Sequence, residues 1–585
     1  MQNESQQTAA VKVGWKILDA NGTTVATAES SRQPIPLDGA STYVASATLT
    51  KPALWSVSAP NLYSAVVTVE ADGKISDAGR VTFGVRTAVF DADKGFLLNG
   101  KQLKIQGTCN HHDHAGVGTA LPDRLQAFRL DVLREMGCNA VRTSHNAPTP
   151  EWVDVCDRMG VMMMCETRQM SSNAEGRQQL ELMVKRYRNS PSIILWSLGN
   201  EEWVLQDAMA EQGSRIAASM VRLCHSLDPT RVVSAAVNGD NEKGLSVPLD
   251  IIGFNYNTSK WPEAFHKKYP KRPIFGSETS SAISTRGIYV SDRVRNTVNS
   301  YDGVVGWGET PEAWWKFYGT HEWEAGGFAW TGFDYRGEPT PYGWPSINSQ
   351  FGIVDMCGFP KDYFYYYKAW WRREPSLHLF PHWNWHGREG DEISVWVYSN
   401  LDEVELFVNG KSVGSQKVPQ LGHVEWKVNF EPGAIEARGM KDGKVVLTEK
   451  WETTVPVASF RLTADRTEID ADGEDVSVVR VEGLDSEGRL VPTANNKVTF
   501  KVSGSGRLIG VGNGDPNCQE SDKAPSRSLF NGLAQAIIQS DKGAGEIQVE
   551  AMMSGRQGSG QMSAKLAITS RQVQFRPSVP ILGAS

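Results

Sequence analysis

Residues 192–202 read SIILWSLGNEE. Four apolar side chains in a row, Ile193, Ile194, Leu195 and Trp196, run into a polar Ser-Leu-Gly-Asn segment and then two acids. An unbroken apolar run that stops at a polar cluster is the pattern of a parallel strand covered on both faces. Outward from it, between residues 91 and 375, strands alternate with helical stretches, the signature of a parallel α/β unit. Eight strands are expected: QLKIQG (102–107), NAVRTS (139–144), VMMMCE (161–166), SIILWSL (192–198), RVVSAA (231–236), DIIGFN (250–255), RPIFGSE (272–278) and GGFAWTG (326–332). DRLQAFRLDVLREMG (123–137) carries an apolar helical face. TPEWVDVCDRMG (149–160) has Thr149 as N-cap, Pro150 in the first position and Gly160 past the end. No helix is evident after the fifth strand. Eight strands at this spacing predict a (β/α)8 TIM barrel, in which chemistry sits at the carboxyl ends of the strands. That is where Glu201 arrives, behind Asn200.

The flanks read as β-structure. Residues 1–90 hold VKVGWKILDANGTTVATAE, with an Asn21-Gly22 hairpin turn, and then YVASATLT, SAVVTVEADGK and RVTFGVRTAVF. This predicts an immunoglobulin-like β-sandwich. Residues 376–456 predict a second sandwich, with turns at Asn409-Gly410 and Asp442-Gly443, and residues 457–585 a third whose tail beyond 567 is poorly patterned. The expected fold class is therefore multidomain, a central TIM barrel flanked by immunoglobulin-like β-sandwiches. A chain of 585 residues far exceeds a single core.

A net charge of −7 over this length makes no electrostatic case for nucleic acid or an anionic membrane surface as partner. The seven cysteines are scattered, odd in number and without CxxC spacing, so they frame neither a disulfide scaffold nor a zinc site. No apolar run reaches membrane-spanning length, and the polar start MQNESQQTAA is not a signal peptide. A soluble protein is expected, cytoplasmic or exported after processing, and a homo-oligomer is compatible with the chain. The 19 tryptophans are unusual. Many lie between Trp261 and Trp385, where aromatic faces serve either as core or as stacking surfaces.

Two strands of the expected barrel end in acids that can face each other across the mouth, the fourth at Glu201 and the seventh at Glu278. Glycoside hydrolysis needs such a pair, one carboxyl protonated for the leaving oxygen and one ionised for the anomeric carbon or its water. Asn200 offers an amide to a substrate hydroxyl. The end of strand one, CNHHDHAGVG (109–118), places three His and an Asp together; its spacing matches no zinc signature, and lining of the mouth by His111 or Asp113 competes with a metal site. Strand two ends in Arg142, Thr143, Ser144, His145 and Asn146, and an arginine there can orient the nucleophilic carboxylate. Glu166 and Arg168 read as a buried pair. Tyr256 follows strand six within reach of the nucleophile, and Trp330 offers a flat face to a sugar ring.

The motifs RTSHNAPTPEWVDVCDRMG, SIILWSLGNEE, PIFGSE and GGFAWTGFDYRGE resemble glycoside hydrolase family 2, most nearly its β-galactosidases. The resemblance spans the first sandwich, the barrel and the β modules behind it. It implies a retaining exo-β-galactosidase acting on an oligosaccharide or glycoside, with Glu201 as acid/base and Glu278 as nucleophile. It further implies Asn200 at the sugar 2-hydroxyl, His111, His145, Tyr256 and Trp330 lining the sugar subsite, and Arg142 supporting the nucleophile. A β-glucuronidase or other family 2 β-glycosidase is the alternative within the class; a non-catalytic carbohydrate-binding protein is the one outside it. Three departures stand out. The jelly-roll domain that commonly precedes the first sandwich is not found. The nucleophile lies in SETSS. The acid and His that hold magnesium in some relatives after strand three are replaced by CETRQMSSN. No cofactor and no metal are expected, so chelator treatment should leave hydrolysis unchanged in an activity assay. A large loss that returns on adding magnesium would overturn that expectation.

Overall fold

The computed structural model describes residues 1–256, 260–553 and 562–575. Its first unit is a five-stranded sheet of β1 (Ala9–Leu18), β2 (Thr24–Glu29), β3 (Gln33–Ile35), β4 (Tyr63–Ala71) and β5 (Lys74–Phe83), ordered β2-β1-β4-β5 with β3 also on β1. Residues 43–50, expected as a strand, keep their alternating exposure but join no ladder. Tyr43 packs on the sheet's small core of Val11, Val13, Ile35 and Val69 instead. The unit docks on the barrel layer through Trp55, fully buried, whose indole N–H donates to Asp157 O at 2.8 Å.

A short meander comes next, β6 (Ala88–Asp91), β7 (Gly95–Leu98) and β8 (Lys101–Gln102). It closes the amino-terminal end of the barrel: Phe90 packs against Phe96 and Phe275, with ring centres 4.9 and 6.3 Å away. The first barrel strand consequently starts at Ile105, not at residue 102, and runs to Asn110. Its last four residues are Gly-Thr-Cys-Asn, buried but without an aliphatic run to mark them.

The barrel is closed and parallel. Its strands are β9 (Ile105–Asn110), β10 (Ala140–Thr143), β11 (Met162–Glu166), β12 (Ile193–Asn200), β13 (Val232–Val237), β14 (Ile252–Asn255), β15 (Ile274–Ser280) and β16 (Gly326–Trp330). Each of β10, β11, β12, β14, β15 and β16 is buried along its whole length. Burial of each Val, Ile, Leu or Phe contributes about 1.5–3 kcal/mol. The interior is packed tightly: a Cβ on Gly107 would lie 2.4 Å from the ring of Phe328, so only glycine fits beside it. Around the barrel lie α1 (Asp123–Glu135), α2 (Pro150–Met159), α3 (Ala174–Tyr187), α4 (Trp203–Gln206), α5 (Ala210–Leu227), α6 (Lys260–Lys268), α7 (Pro311–Thr320) and α8 (Asp362–Trp371). Helix α2 has the expected ends: Thr149 Oγ1 accepts from Trp152 N–H at 3.3 Å, Pro150 opens it, and Gly160 closes it at φ 72°. After β13, a single 3-10 turn at Gly244–Ser246 takes the place of a helix. No described helix is long and apolar enough to cross a membrane. All seven cysteines are unpaired.

Two sandwiches complete the chain. The first packs β17 (Leu377–Phe380), β18 (Glu392–Ser399) and β21 (His423–Asn429) against β19 (Glu403–Val408), β20 (Lys411–Lys417), β22 (Ala434–Lys441) and β23 (Lys444–Glu452). The second packs β24 (Ser459–Ala464), β26 (Val476–Leu484), β28 (Gly506–Gly512) and β30 (Leu533–Ser540) against β25 (Glu468–Asp470), β27 (Lys497–Gly504), β29 (Ser526–Ser528), β31 (Gly545–Met553) and β32 (Met562–Arg571). Residues 567–571, expected as irregular tail, therefore continue a strand. β32 is held by β31 on one side and by β25, in parallel, on the other.

At the closed end of the barrel, Glu324 is fully buried with neither carboxylate oxygen hydrogen-bonded. Burial pushes its carboxyl well above the ordinary 4.5, opposed by the Lys104 ammonium, which donates to the backbone carbonyls of His321 and Glu324. The unfolded chain ionises this acid above pH 4.5 while the folded one holds its proton, so the group costs stability as pH rises. Glu324→Gln is expected to raise the melting temperature at pH 8, by roughly 2–4 °C per kcal/mol recovered, and to leave it nearly unchanged at pH 4.5. Thermal melts at the two pH values check this.

Candidate active site

Six barrel strands deliver the polar residues at the mouth, and Arg142 at the end of β10 joins most of them. It is fully buried. Its Nε and Nη2 donate to the two oxygens of Glu166, at the end of β11, both at 2.9 Å. Nη1 donates to Glu278 Oε1 at 2.7 Å and to Ser277 O at 3.1 Å on β15. Nη2 also reaches Asn200 Oδ1 on β12 at 2.7 Å. A planar guanidinium supplies this fork of fixed donors; an ammonium does not. Glu166 also accepts from Ser197 Oγ at 2.8 Å and lies 3.0 Å from His145 Nδ1. Burial lifts its carboxyl most, but Arg142, His145 and Ser197 together outweigh burial and hold it below the ordinary value.

The expected Glu166–Arg168 pair does not form. β11 ends at Glu166, and Arg168, exposed beyond it, donates to Asn200 O at 3.0 Å.

Glu278 is 2% exposed, and both its oxygens accept hydrogen bonds. Oε2 takes one from Tyr256 O–H at 2.6 Å, opposite the Arg142 contact. Glu201 is in a different setting. One of its oxygens accepts from Asn255 Nδ2 at 3.0 Å, and no arginine or lysine pairs with it among the described residues. Burial pushes its carboxyl up from 4.5, and the neighbouring Glu278 charge adds to this; the Asn255 amide and Arg142 only partly oppose it. Glu202, next in sequence, turns back toward Met170 N–H at 3.3 Å. Glu201 and Tyr256 sit at φ 53° and 61°, a left-handed conformation that costs a non-glycine residue about 1 kcal/mol or more. Both backbone reversals occur where a strand ends at the mouth.

Rings form the rest of the wall. The His145 ring stacks on Trp330 with centres 5.2 Å apart, and His111 stacks on Tyr335 at 4.0 Å while meeting Trp330 edge-on at 5.6 Å. Burial draws His111 down to about 3, so it stays neutral. The remainder of the 109–118 run disperses. Asp113 Oδ2 accepts from the backbone N–H of Arg336 at 3.0 Å, which makes it an anchor of the loop after β16 rather than a neighbour of Glu278. His112 is exposed, and His114 is buried against Gln535 of the last sandwich at 2.9 Å. Among the described residues no group of three or more His, Cys, Asp or Glu is placed to hold a metal ion.

Of the residues expected from sequence, Glu201, Glu278, Arg142, His145, Asn200, Tyr256, His111 and Trp330 converge here, and Asp113 does not. Sequence reasoning missed Asn255, Ser277 and Tyr335. Asn255 had a signal, a polar residue closing an apolar strand directly before Tyr256. Tyr335 lies within the GGFAWTGFDYRGE motif, but no strand or helix period marked it, since a loop brings it in.

Comparison with known proteins agrees with this architecture. The chain matches the glycosyl hydrolases family 2 TIM barrel domain over residues 89–179 and 171–307, a further glycosyl hydrolases family 2 domain over 1–86, and glycoside hydrolase family 2 C-terminal domain 5 over 460–560. A domain of unknown function matches 390–447. The chain belongs to glycoside hydrolase family 2 and is a β-glycosidase. Among its relatives it is 38% identical to β-galactosidase BoGH2A of Bacteroides ovatus, over 94% of this chain and 72% of that one. It is 30% identical to a putative β-glucuronidase of Formosa agariphila, over 90% of this chain and 54% of that one. The crystal structure of a β-glycosidase from Bacteroides vulgatus superposes with a TM-score of 0.85 at 32% identity, covering 97% of this chain and 76% of that one.

Arg142→Lys keeps the charge but removes the fork. Steady-state kinetics are expected to show kcat/KM lower by on the order of a hundredfold, with circular dichroism confirming the fold.

Proposed function

We propose that the chain is a retaining exo-β-galactosidase. The observation that carries this reading is the contrast between the two carboxyls. Glu278 meets a guanidinium on one oxygen and a phenol on the other, contacts that suit an anion poised to attack. Glu201 has its proton affinity raised, as a general acid requires. Glu278 attacks the anomeric carbon while Glu201 gives its proton to the departing oxygen. The C–O bond to the aglycone breaks and an ester to Glu278 forms. Glu201, now a carboxylate, takes a proton from water, whose oxygen displaces Glu278 and releases the sugar with its configuration retained. Asn200, tied through Oδ1 to Arg142, keeps its amide N–H groups for the sugar. Trp330 and His111 offer apolar ring surface to the sugar's C–H face. The name of the Bacteroides ovatus relative supports galactose as the sugar.

A β-glucuronidase is the second reading, favoured by the name of the Formosa relative. A panel of nitrophenyl β-glycosides separates the two. The β-galactoside is expected to turn over fastest, and a faster β-glucuronide overturns the sugar assignment. Glu278→Gln is expected to abolish turnover on every glycoside of the panel; wild-type rates in that variant would remove the nucleophile from the proposal. The proton on Glu201 persists to higher pH than on an ordinary carboxyl and is then lost, so kcat/KM should decline on the alkaline side. In Glu201→Ala that decline should vanish, with slow turnover left only for substrates with good leaving groups.

A further inference from the structure

Four of the 19 tryptophans have half or more of their surface open to solvent: Trp203 at 63%, Trp261 at 50%, Trp307 at 50% and Trp344 at 79%. Leaving indole rings in water forfeits the large burial energy that places most tryptophans in cores. All four lie on segments that come after barrel strands β12, β14, β15 and β16, at the end of the barrel where Glu201 and Glu278 emerge.

Three of them are fixed by backbone contacts. Trp203 opens α4, and its N–H donates to Glu201 O at 2.9 Å. Trp307 precedes Gly308, whose Cβ position lies 2.7 Å from Ser281 O and 2.9 Å from Ser280 O, just past Glu278 on the same strand end. Trp344 rides a loop braced on two sides. Tyr342 O–H donates to Thr297 O at 3.0 Å, and Gln519 of the last sandwich donates to Pro345 O at 2.7 Å. Exposed aromatic faces held in place by their backbones lose little freedom when a ligand stacks on them.

The geometry points to an aglycone platform. We propose that Trp203, Trp307 and Trp344 stack the sugar rings on the leaving-group side of the scissile bond, so that the substrate is the end of an oligosaccharide rather than a small alkyl or aryl glycoside. This rests on the reading of Glu201 and Glu278 given above. Sugar rings present flat C–H faces that pack on indoles, and the rim around Trp203 is otherwise charged, with Lys243 paired to Asp207 at 3.0 Å. Platforms on separate strand ends suit a chain passing from one to the next.

The test compares a glycosyl fluoride, which has no sugar on the leaving side, with di-, tri- and tetrasaccharides ending in the same sugar. That sugar is whichever the nitrophenyl panel selects, so an error in the sugar changes the panel and not this comparison. In the wild type, kcat/KM is expected to rise with chain length. Trp203→Ala, Trp307→Ala and Trp344→Ala are each expected to reduce kcat/KM on the tetrasaccharide about three- to tenfold more than on the fluoride. The Phe variants should recover most of that difference by keeping a ring face. Equal losses on fluoride and tetrasaccharide, or a chain-length gain that survives in the triple Ala variant, overturn the proposal. So does a shift in sedimentation of the triple variant without any chain-length effect, which makes the rim a contact between copies of the chain.

Discussion

One buried guanidinium holds the site together. Arg142 stands between Glu166 and Glu278, a single positive charge facing two negative ones where water is excluded. Isolated charges are costly in such surroundings, and removing one partner of a buried set strands the rest, at about 3–5 kcal/mol. Each donor of Arg142 is therefore committed, and its position sets those of Glu166, Glu278 and Asn200 together. The net negative balance left over is felt by Glu201, whose carboxyl is raised partly by the Glu278 charge. The difference between the two acids thus has two sources: the burial of Glu201, and the Arg142 and Tyr256 hydrogen bonds that Glu278 has and Glu201 lacks.

The scaffold serves that cluster from two ends. Below, the meander and Phe90, Phe275 and Phe328 fill the barrel floor, so the polar residues above rest on close-packed rings. Above, the last sandwich reaches over the barrel. Arg286, in the loop after β15, binds Asp355 at 2.6 Å and the carbonyls of Asn513 and Phe530 at 2.8 Å. Gly514 approaches Asp355 so closely that a Cβ there would lie 1.7 Å from a carboxylate oxygen. The loops that frame the mouth owe their positions to a β module that contributes none of the residues around Glu278.

Much of this was legible in the chain itself, because the barrel obeys local rules. Apolar runs ending in polar residues mark β12 and β15, and the same pattern places Glu201 and Glu278 at one end of the barrel. The readings that failed did so where local rules stop. Glu166 and Arg168 are two apart, the spacing that shares a face within a strand, but the strand ends between them. Residues 43–50 alternate like a strand, yet the sheet's core takes Tyr43 without hydrogen-bonding its backbone into a ladder. β9 runs three residues further than its aliphatic pattern, through Thr108, Cys109 and Asn110, whose burial depends on neighbours far away in sequence. Asp113 and His114 stand beside His111 in sequence but answer to Arg336 and Gln535, and no periodicity announces partners at that distance.

The contact between the last sandwich and the barrel also orders events in time. His114 and Gln535 are 421 residues apart, and Ser346 and Asn517 are 171 apart. A nascent polypeptide leaves the ribosome amino-terminus first, and its domains fold largely as they emerge. All eight barrel strands are thus exposed to the cell while the clamps on the loops after β9, β15 and β16 are still untranslated. The newborn barrel passes through an interval in which both acids are in place but the surrounding loops are not yet secured, and the loops are clamped only once residues 513–535 have emerged.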